Sequence, residues 1–578
     1  MGRGRSPRTD PAHTILYEPG RLSPPRDPAG DGDVEARVRA SLENPFNDRQ
    51  TRALSRSFTD RVSLLWGPPG TGKTTVLAAI VLGWFERAWL LGEPLTIGVC
   101  ASNYNAMDNL LTSIADLLER RSARAGEPPV PATIARVRSS SAQPPADGRF
   151  ADVERDSAAG LRLARELDAP SGCTVVGGTW MQLEKLAKAS SPTEDPVARW
   201  FDLLLIDEAS QMGVAYAAAY FLLLKDDANV VLAGDHRQLG PIYGFQMDNI
   251  EDGLFDCIFT YMQEAHAIDP TALDQNYRTN AEIAAWPRER FYGEGYEAFQ
   301  PKRRLALTLP DAADASPVGW PEQLPWSGEL LKILDPDLPV AVVTYEAQTH
   351  TLSNPFEAQV AAALSLLYRR LLERDEGEIA DDEFWGERLG IVTPHRAQMA
   401  NIRNLLEHAA GMRPTSLPFV DTVDRFQGQE RDMVISSYTV ADRDFVASEE
   451  GFILDPRRFN VTLTRARSKF VMFVSEAVLQ HLPSDADAAR DAAHLQLFVE
   501  NYCSAVDEEI VLPFANRHGV TEMKCRLRGR RHVTVNPEKR PFIEDELLRV
   551  RLEEDRTDGG GGNSGGHTPG REIDNRGM

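Results

Sequence analysis

The chain has 578 residues, 42% hydrophobic and 26% charged, a composition that makes about three or four globular domains and excludes both a disulfide-stapled miniprotein and a mainly disordered polymer. Its net charge of −23, from 86 acids against 63 bases, argues on its face against a polyanionic partner; yet only nine of those bases are lysine, the balance of a surface solvated in high salt, where screening weakens such repulsion. Five cysteines far apart, with no Cys-x-x-Cys pair, exclude a zinc ribbon, an iron–sulfur cluster and a disulfide framework and fit a reducing cytoplasm.

In chain order, residues 1–43, rich in Pro, Gly, Arg and Asp, read as a disordered lead-in, and the basic start has no apolar stretch behind it that would make a secretory leader. Short apolar runs without alternation follow at 62–66, 96–101, 174–176, 203–206 and 230–233, and again at 340–345, 390–393, 433–438 and 470–474, with helical patterns between them. Such runs are strands buried on both faces, so the expected fold is α/β, with parallel sheets flanked by helices in two lobes, 44–265 and 266–485. A helical insertion is expected near 112–170, a Pro-rich connection at 301–325, a C-terminal extension at 486–556 and a disordered Gly-rich tail at 557–578. The longest apolar helix, 76–91, is interrupted by Glu86 and Arg87, so no membrane span is expected.

The first run leads into Gly67-Pro68-Pro69-Gly70-Thr71-Gly72-Lys73-Thr74 and then a helix that begins near Thr75. Glycines let such a loop wrap a phosphate with its backbone N–H groups, Lys73 meets the β- and γ-phosphates, and the Thr74 hydroxyl joins Mg²⁺. The fourth run places Asp207 at a strand tip, where it can hold the Mg²⁺ shell, and Glu208 beside it can take a proton from an attacking water. Gln238 follows the next strand in Gly234-Asp235-His236-Arg237-Gln238, where its amide can sense a γ-phosphate or form part of a polar turn. Phosphoryl transfer spreads negative charge, so hydrolysis controlled by domain closure needs arginines from the second lobe; Arg278 and Arg465 are the candidates, picked by their surroundings rather than their charge.

Those surroundings carry a resemblance. Asp207-Glu208-Ala209-Ser210-Gln211, Gly234-Asp235-His236-Arg237-Gln238-Leu239, Gln275-Asn276-Tyr277-Arg278, Val423-Asp424-Arg425-Phe426-Gln427-Gly428-Gln429-Glu430 and Arg458-Phe459-Asn460-Val461-Thr462-Leu463-Thr464-Arg465 resemble, in order, the motifs of superfamily 1 helicases. The branch is that of the nonsense-mediated-decay helicase and senataxin, and the likeness runs from residue 47 to 474. It implies RecA-like lobes. It also implies that Gln50 reads the adenine edge, making ATP the nucleotide, that Tyr277 stacks on the adenine, that Arg278 and Arg465 reach the γ-phosphate and that Glu430 contacts the ribose. Without it, Tyr277 reads equally as a packing residue at the lobe boundary and Glu430 as a strand-end cap.

The same resemblance places single-stranded nucleic acid against Ser102 and Asn103, Thr179, and Pro394-His395-Arg396. Small hydroxyls and amides grip phosphates without reading sequence, although Ser102 and Thr179 also read as helix caps. The basic cluster Arg526 to Arg531 reads as a solvated charged face, and Glu522-Met523-Lys524, a three-residue match to a nuclease Glu-x-Lys element for which no metal-binding Asp is placed upstream, reads as part of a structural extension. With fewer than fifty residues before Gln50, the β-barrel insertion that the family usually carries before or near the loop is not expected here. The expected function is an ATP- and Mg²⁺-dependent helicase or translocase on single-stranded DNA or RNA in the cytoplasm, 5′ to 3′ by resemblance. Its rivals are an ATP-switched clamp that separates no strands and a non-enzymatic scaffold.

Overall fold

The apolar runs become parallel strands because helices cover both of their faces. A computed structural model describes residues 10–22, 31–101, 103–124, 131–142, 147–190, 198–241, 256–310, 319–410, 418–426, 428–483 and 485–532. In the first sheet β1 (Val62–Trp66), β2 (Leu95–Cys100), β3 (Ala132–Arg138), β4 (Ala151–Glu154), β5 (Cys173–Gly178), β6 (Phe201–Ile206), β7 (Leu224–Gly234) and β8 (Thr271–Ala272) lie in the order β4-β3-β5-β2-β6-β7-β1-β8. Every pairing in it is parallel. Successive residues enter opposite cores: Leu64, Leu204 and Ile206 meet Trp200 and Phe259 on one face, while Leu65, Leu203 and Leu205 meet Phe58, Ile80 and Phe85 on the other. That division is why the runs show no polar alternation.

A short parallel pair, β9 (Gln275–Asn276) with β10 (Glu297–Ala298), precedes the second sheet. There β11 (Val340–Tyr345), β12 (Leu389–Val392), β13 (Val420–Asp421), β14 (Arg431–Ser437) and β15 (Ala466–Ser475) are mutually parallel. The hairpin β16 (Val506–Asn516) and β17 (Gly519–Arg530) joins antiparallel through β17 on β11, giving the order β13-β12-β14-β15-β11-β17-β16.

Four expectations need correction. The lead-in carries two helices, α1 (Pro11–Tyr17) and α2 (Asp31–Ser41), because a few apolar residues find partners in spite of the surrounding composition: Ile15 and Leu16 enter one core, and Val34 and Val38, one turn apart, enter the other. The region read as a helical insertion contributes β3 and β4 to the sheet. Residues 271–272 still pair with β1, so the first lobe reaches past residue 265. The described part of the C-terminal extension completes the second sheet, because Cys525 and Leu527 alternate with arginines and go into its core. The basic cluster is thereby a strand whose Arg526 pairs with Asp507 and whose neighbour Arg531 pairs with Asp335 at 3.2 Å. The tail 557–578 lies outside the described residues.

Three further helices frame the phosphate loop: α3 (Asp48–Thr59), α4 (Lys73–Leu91) and α5 (Tyr104–Ser122). Glu86 does not end α4, which is long and apolar enough by length and composition to cross a membrane but is a mostly buried core helix. Glu86 is buried in an ion pair with Arg121 of α5, which is how a charge is tolerated there.

Candidate active site at the cleft between the sheets

Residues 67–72 join β1 to α4, and backbone geometry dictates their composition. Gly70 (φ 75°) and Gly72 (φ 82°) adopt the left-handed conformation that side chains disfavour. A Cβ on Gly70 would stand 2.3 Å from Asn276 Oδ1 and 2.6 Å from Arg278 Cβ, so the segment after β9 lies directly on the loop. Pro68, Pro69 and Thr71 are buried, and the Thr71 hydroxyl donates to Pro68 O at 2.8 Å. Lys73 Nζ donates to Gly67 O within the loop. Thr74 is half-buried and Thr75 exposed on the first turn of α4, whose open N–H groups favour an anion.

Gln50 sits at this loop, but its amide is engaged in a capping box. Asn47 Oδ1 accepts from Gln50 N at 2.9 Å, Gln50 Oε1 accepts from Asn47 N at 3.1 Å, and Gln50 Nε2 donates to Thr71 O at 3.4 Å. Tyr277 is adjacent: Asn47 Nδ2 donates to its hydroxyl at 3.3 Å, its own N–H donates to Gly70 O at 2.8 Å, and its ring lies 5.0 Å from that of Phe299, which is exposed.

The neighbouring strand tips bring the acids. Asp207 follows β6, buried, its carboxylate accepting from Glu208 N at 2.9 Å. Burial and then the Glu208 charge push its pKa up, against Lys73, which pulls it down. Glu208 is itself left-handed (φ 53°), a conformation that costs a non-glycine residue about 1 kcal/mol or more and recurs where function demands it. Gln211 Nε2 donates to it at 3.1 Å.

Asp235, after β7, is fully buried and gathers donors. Its Oδ1 accepts from Trp66 Nε1 at 3.2 Å and Arg237 N at 3.1 Å; its Oδ2 accepts from Gln238 Nε2 at 2.7 Å and Tyr292 Oη at 2.8 Å. Gln238 Oε1 in turn accepts from Arg465 Nη2 at 3.0 Å, so the first lobe's glutamine touches the second lobe's arginine. Arg465 is buried and its Nε has no hydrogen-bond partner among the described residues. Burial, then the nearby Arg278, push its pKa down to about 10, while Glu208 and Glu430 hold it up, which leaves it a cation at neutral pH.

Arg278 stands at the loop's rim with its guanidinium committed elsewhere: Nε donates to Glu430, and Nη1 to Thr464 O at 3.2 Å. Glu430 therefore pairs with arginine, its pKa lowered by Arg278 first, with Arg467 also 3.6 Å away. The structure thus gathers Gln50, the loop, Asp207, Glu208, Gln238, Tyr277, Arg278, Glu430 and Arg465 around one cleft.

The residues expected to hold a nucleic-acid strand are more scattered in character. Ser102 lies outside the described residues. Asn103 caps α5, its Oδ1 accepting from Ala106 N at 2.9 Å, and the Thr179 carbonyl accepts from Gln182 N at 2.9 Å at the start of the next helix. Pro394 lines a small cavity with Thr422, Asp424 and Tyr438. His395 is buried rather than presented to a strand: its ring packs on Phe445 and Phe452, and its Nε2 is 3.7 Å from Glu449, with burial lowering its pKa. Arg396 is exposed.

Sequence reasoning missed Asn276, Tyr292, Tyr296 and Asn460. Tyr296 Oη donates to Pro69 O at 2.9 Å while accepting from Asn276 Nδ2 at 2.8 Å, which ties β9 to the phosphate loop. Asn276 and Asn460 stand inside the contiguous motifs 275–278 and 458–465 and are legible there; the tyrosines carry no local signal.

Two family descriptions, each "AAA domain", match residues 50–245 and 254–477. The chain is 26% identical over 457 residues to the DNA replication ATP-dependent helicase/nuclease JHS1 of Arabidopsis thaliana, covering 76% of this chain and 29% of that one. It is 25% identical over 496 residues to the DNA polymerase alpha-associated DNA helicase A of Saccharomyces cerevisiae (77% and 67%) and 25% identical over 453 residues to the ATP-dependent helicase NAM7 of the same yeast (74% and 41%). This chain therefore spans between 29% and 67% of these relatives' lengths. The solved DUF1998 helicase MrfA bound to DNA overlays loosely, with TM-score 0.38 and 10% identity over 85% of this chain and 63% of its own.

Proposed function

The chain belongs with the superfamily 1 helicases, in the branch of the nonsense-mediated-decay helicase and senataxin, and from that premise we propose that it hydrolyses ATP in the cleft to move along single-stranded nucleic acid. The observation that carries this reading is the bond from Arg465 to Gln238, which joins a buried cation of the second lobe to a polar side chain at the first lobe's strand tips. Around it, the loop's N–H groups and Lys73 bind the phosphates, Glu208 takes the proton of the attacking water, and Arg465 with Arg278 meets the charge that develops on the transferred group. Arg278 leaves Glu430 for that purpose, and Glu430 and Tyr277 are then free for the ribose and base. The buried Asp207 carboxylate and the Thr74 hydroxyl are a hard-oxygen pair that fits Mg²⁺, which when bound supplies neutralisation of phosphate charge. Among the described residues no cluster of three or more His, Cys, Asp or Glu competes for a metal.

ATP draws the arginines inward, hydrolysis releases them, and strand-contacting turns near Asn103, Thr179 and Arg396 separate and grip again. Motion is 5′ to 3′, and the protein works in the cytoplasm, where its five free cysteines suit the redox poise. The test is ATP turnover with Mg²⁺, with and without single-stranded DNA or RNA, alongside a fork-unwinding assay with tails of either polarity. Strand-stimulated turnover with unwinding supports a helicase. Stimulated turnover without unwinding replaces it with the ATP-switched clamp, and no turnover by wild type matching Lys73→Ala overturns the enzyme reading.

A further inference from the structure

We propose that Tyr292 is a positioning residue for Arg465: it forms the second of two hydrogen-bonded arms that run from Asp235 to the arginine-bearing segment of the second lobe. The proposal rests on the ATP-hydrolysing reading of this cleft.

One arm is Asp235 to Gln238 to Arg465. The other is Asp235 to Tyr292 to Asn460: the phenol donates to Asp235 Oδ2 at 2.8 Å and accepts from Asn460 Nδ2 at 2.7 Å. A hydroxyl has one proton, and the carboxylate takes it; Asn460 must therefore present its NH₂ face, which fixes that amide. Asn460 lies in the helix Pro456–Leu463, and Thr464 returns to it, its N–H and Oγ1 donating to Asn460 O at 3.1 and 2.7 Å. Asn460 and Arg465 are thus rigidly linked, and the two arms close a ring through Asp235.

A single amide joint at Gln238 would let the helix end pivot; a second point of attachment removes that freedom. A phenol suits the task because it has few rotamers to lose. Tyr292 closes a π-helical turn, Arg288–Tyr292, a rare local geometry that recurs at functional sites. Its ring lies 4.9 Å from Tyr296 and 6.3 Å from Trp66, both of which contact the loop end of the first sheet. Burial and the Asp235 charge raise its pKa, which keeps it a donor.

Tyr292→Phe keeps the ring and removes the arm. The expected result is a fall in kcat for oligonucleotide-stimulated ATP hydrolysis of about tenfold, with KM for ATP within about twofold, the pattern of an interaction expressed in the transition state. Asn460→Ala should match it, and the double variant should be no slower than the worse single, since both cut one arm. Without nucleotide, amide exchange at Thr464 and Arg465 should quicken about tenfold in Tyr292→Phe. Unchanged kcat together with unchanged exchange overturns the proposal, as does a double variant whose losses multiply. If wild type hydrolyses no ATP, the functional reading fails separately, and the exchange measurement still decides whether Tyr292 positions the arginine segment.

Discussion

The two sheets end in different ways. At the tip of β7 the bonding of buried Asp235 reaches beyond its own sheet: it takes one of its donors from Tyr292 in the segment after β9, and Gln238, which it holds, accepts from Arg465 of the second lobe. At the tips of β11, β12 and β14 the buried Glu357 is satisfied wholly within its own lobe. It accepts from Tyr345 Oη, Ser437 Oγ and Thr439 N, the last at 2.8 Å. Asn354 Nδ2 braces the cluster through Tyr345 Oη (2.6 Å) and Thr439 O (3.0 Å), and Gln398 Nε2 through Ser437 Oγ (3.0 Å). Thr439 is held at φ 73°, which a β-branched residue adopts only when its surroundings impose it. Equivalent sheet ends thus do different jobs: polar groups that need a second body to complete them can respond to a ligand, whereas a self-contained network makes a rigid platform.

The largest expected effect is at Glu208, on the first sheet's side of that contrast. Glu208→Gln should lower kcat by about 10³-fold, within the range of general base catalysis, while equilibrium binding of a fluorescent ATP analogue stays within a few-fold. A variant with wild-type turnover would remove Glu208 as the base. Next in size, Arg278→Ala should slow hydrolysis by about 10²-fold, less than a fully engaged arginine finger because its guanidinium must first leave Glu430. Restored turnover in Arg278→Ala/Glu430→Ala would show that the loss came from stranding Glu430.

How much of this was legible depends on the range of the interaction. The phosphate loop, Asp207 and the buried strands are written in contiguous residues, so local pattern finds them. In the sequence Asp235 reads only as part of a turn, because what makes it a hub is bonding to Tyr292, 57 positions away, and through it to Asn460, another 168 positions on. The hairpin β16 and β17 was legible in principle: Cys525, Leu527 and Gly529 alternate with arginines at the period of a strand, and the charge drew attention from the period. The lead-in helices were hidden by averaging, since Ile15, Leu16, Val34 and Val38 are few among prolines and charges. His395 was misread because its motif specifies a position and not whether Phe445 and Phe452 will cover it.

The smallest effect lies in the second lobe's closed network and is a matter of stability. Burial raises the Glu357 pKa from an ordinary 4.5 to about 7. The folded state therefore keeps a proton that the unfolded chain loses, so the contribution of Glu357 to stability is fully present below pH 4.5, falls as pH rises to about 7 and is flat above it. Glu357→Gln should gain on wild type across that window by roughly 1–3 kcal/mol, with little change in kcat at pH 8. Thermal melts of both proteins at pH 5 and 8 measure the difference; parallel slopes would show that Glu357 titrates normally.

The most direct test is single-turnover hydrolysis by Arg465→Ala with single-stranded oligonucleotide at saturation. A cation delivered from the second lobe to the phosphates predicts a chemical step slower by about 10³-fold, with ATP affinity changed by only a few-fold. An unchanged single-turnover rate would mean that the two sheets do not share the reaction.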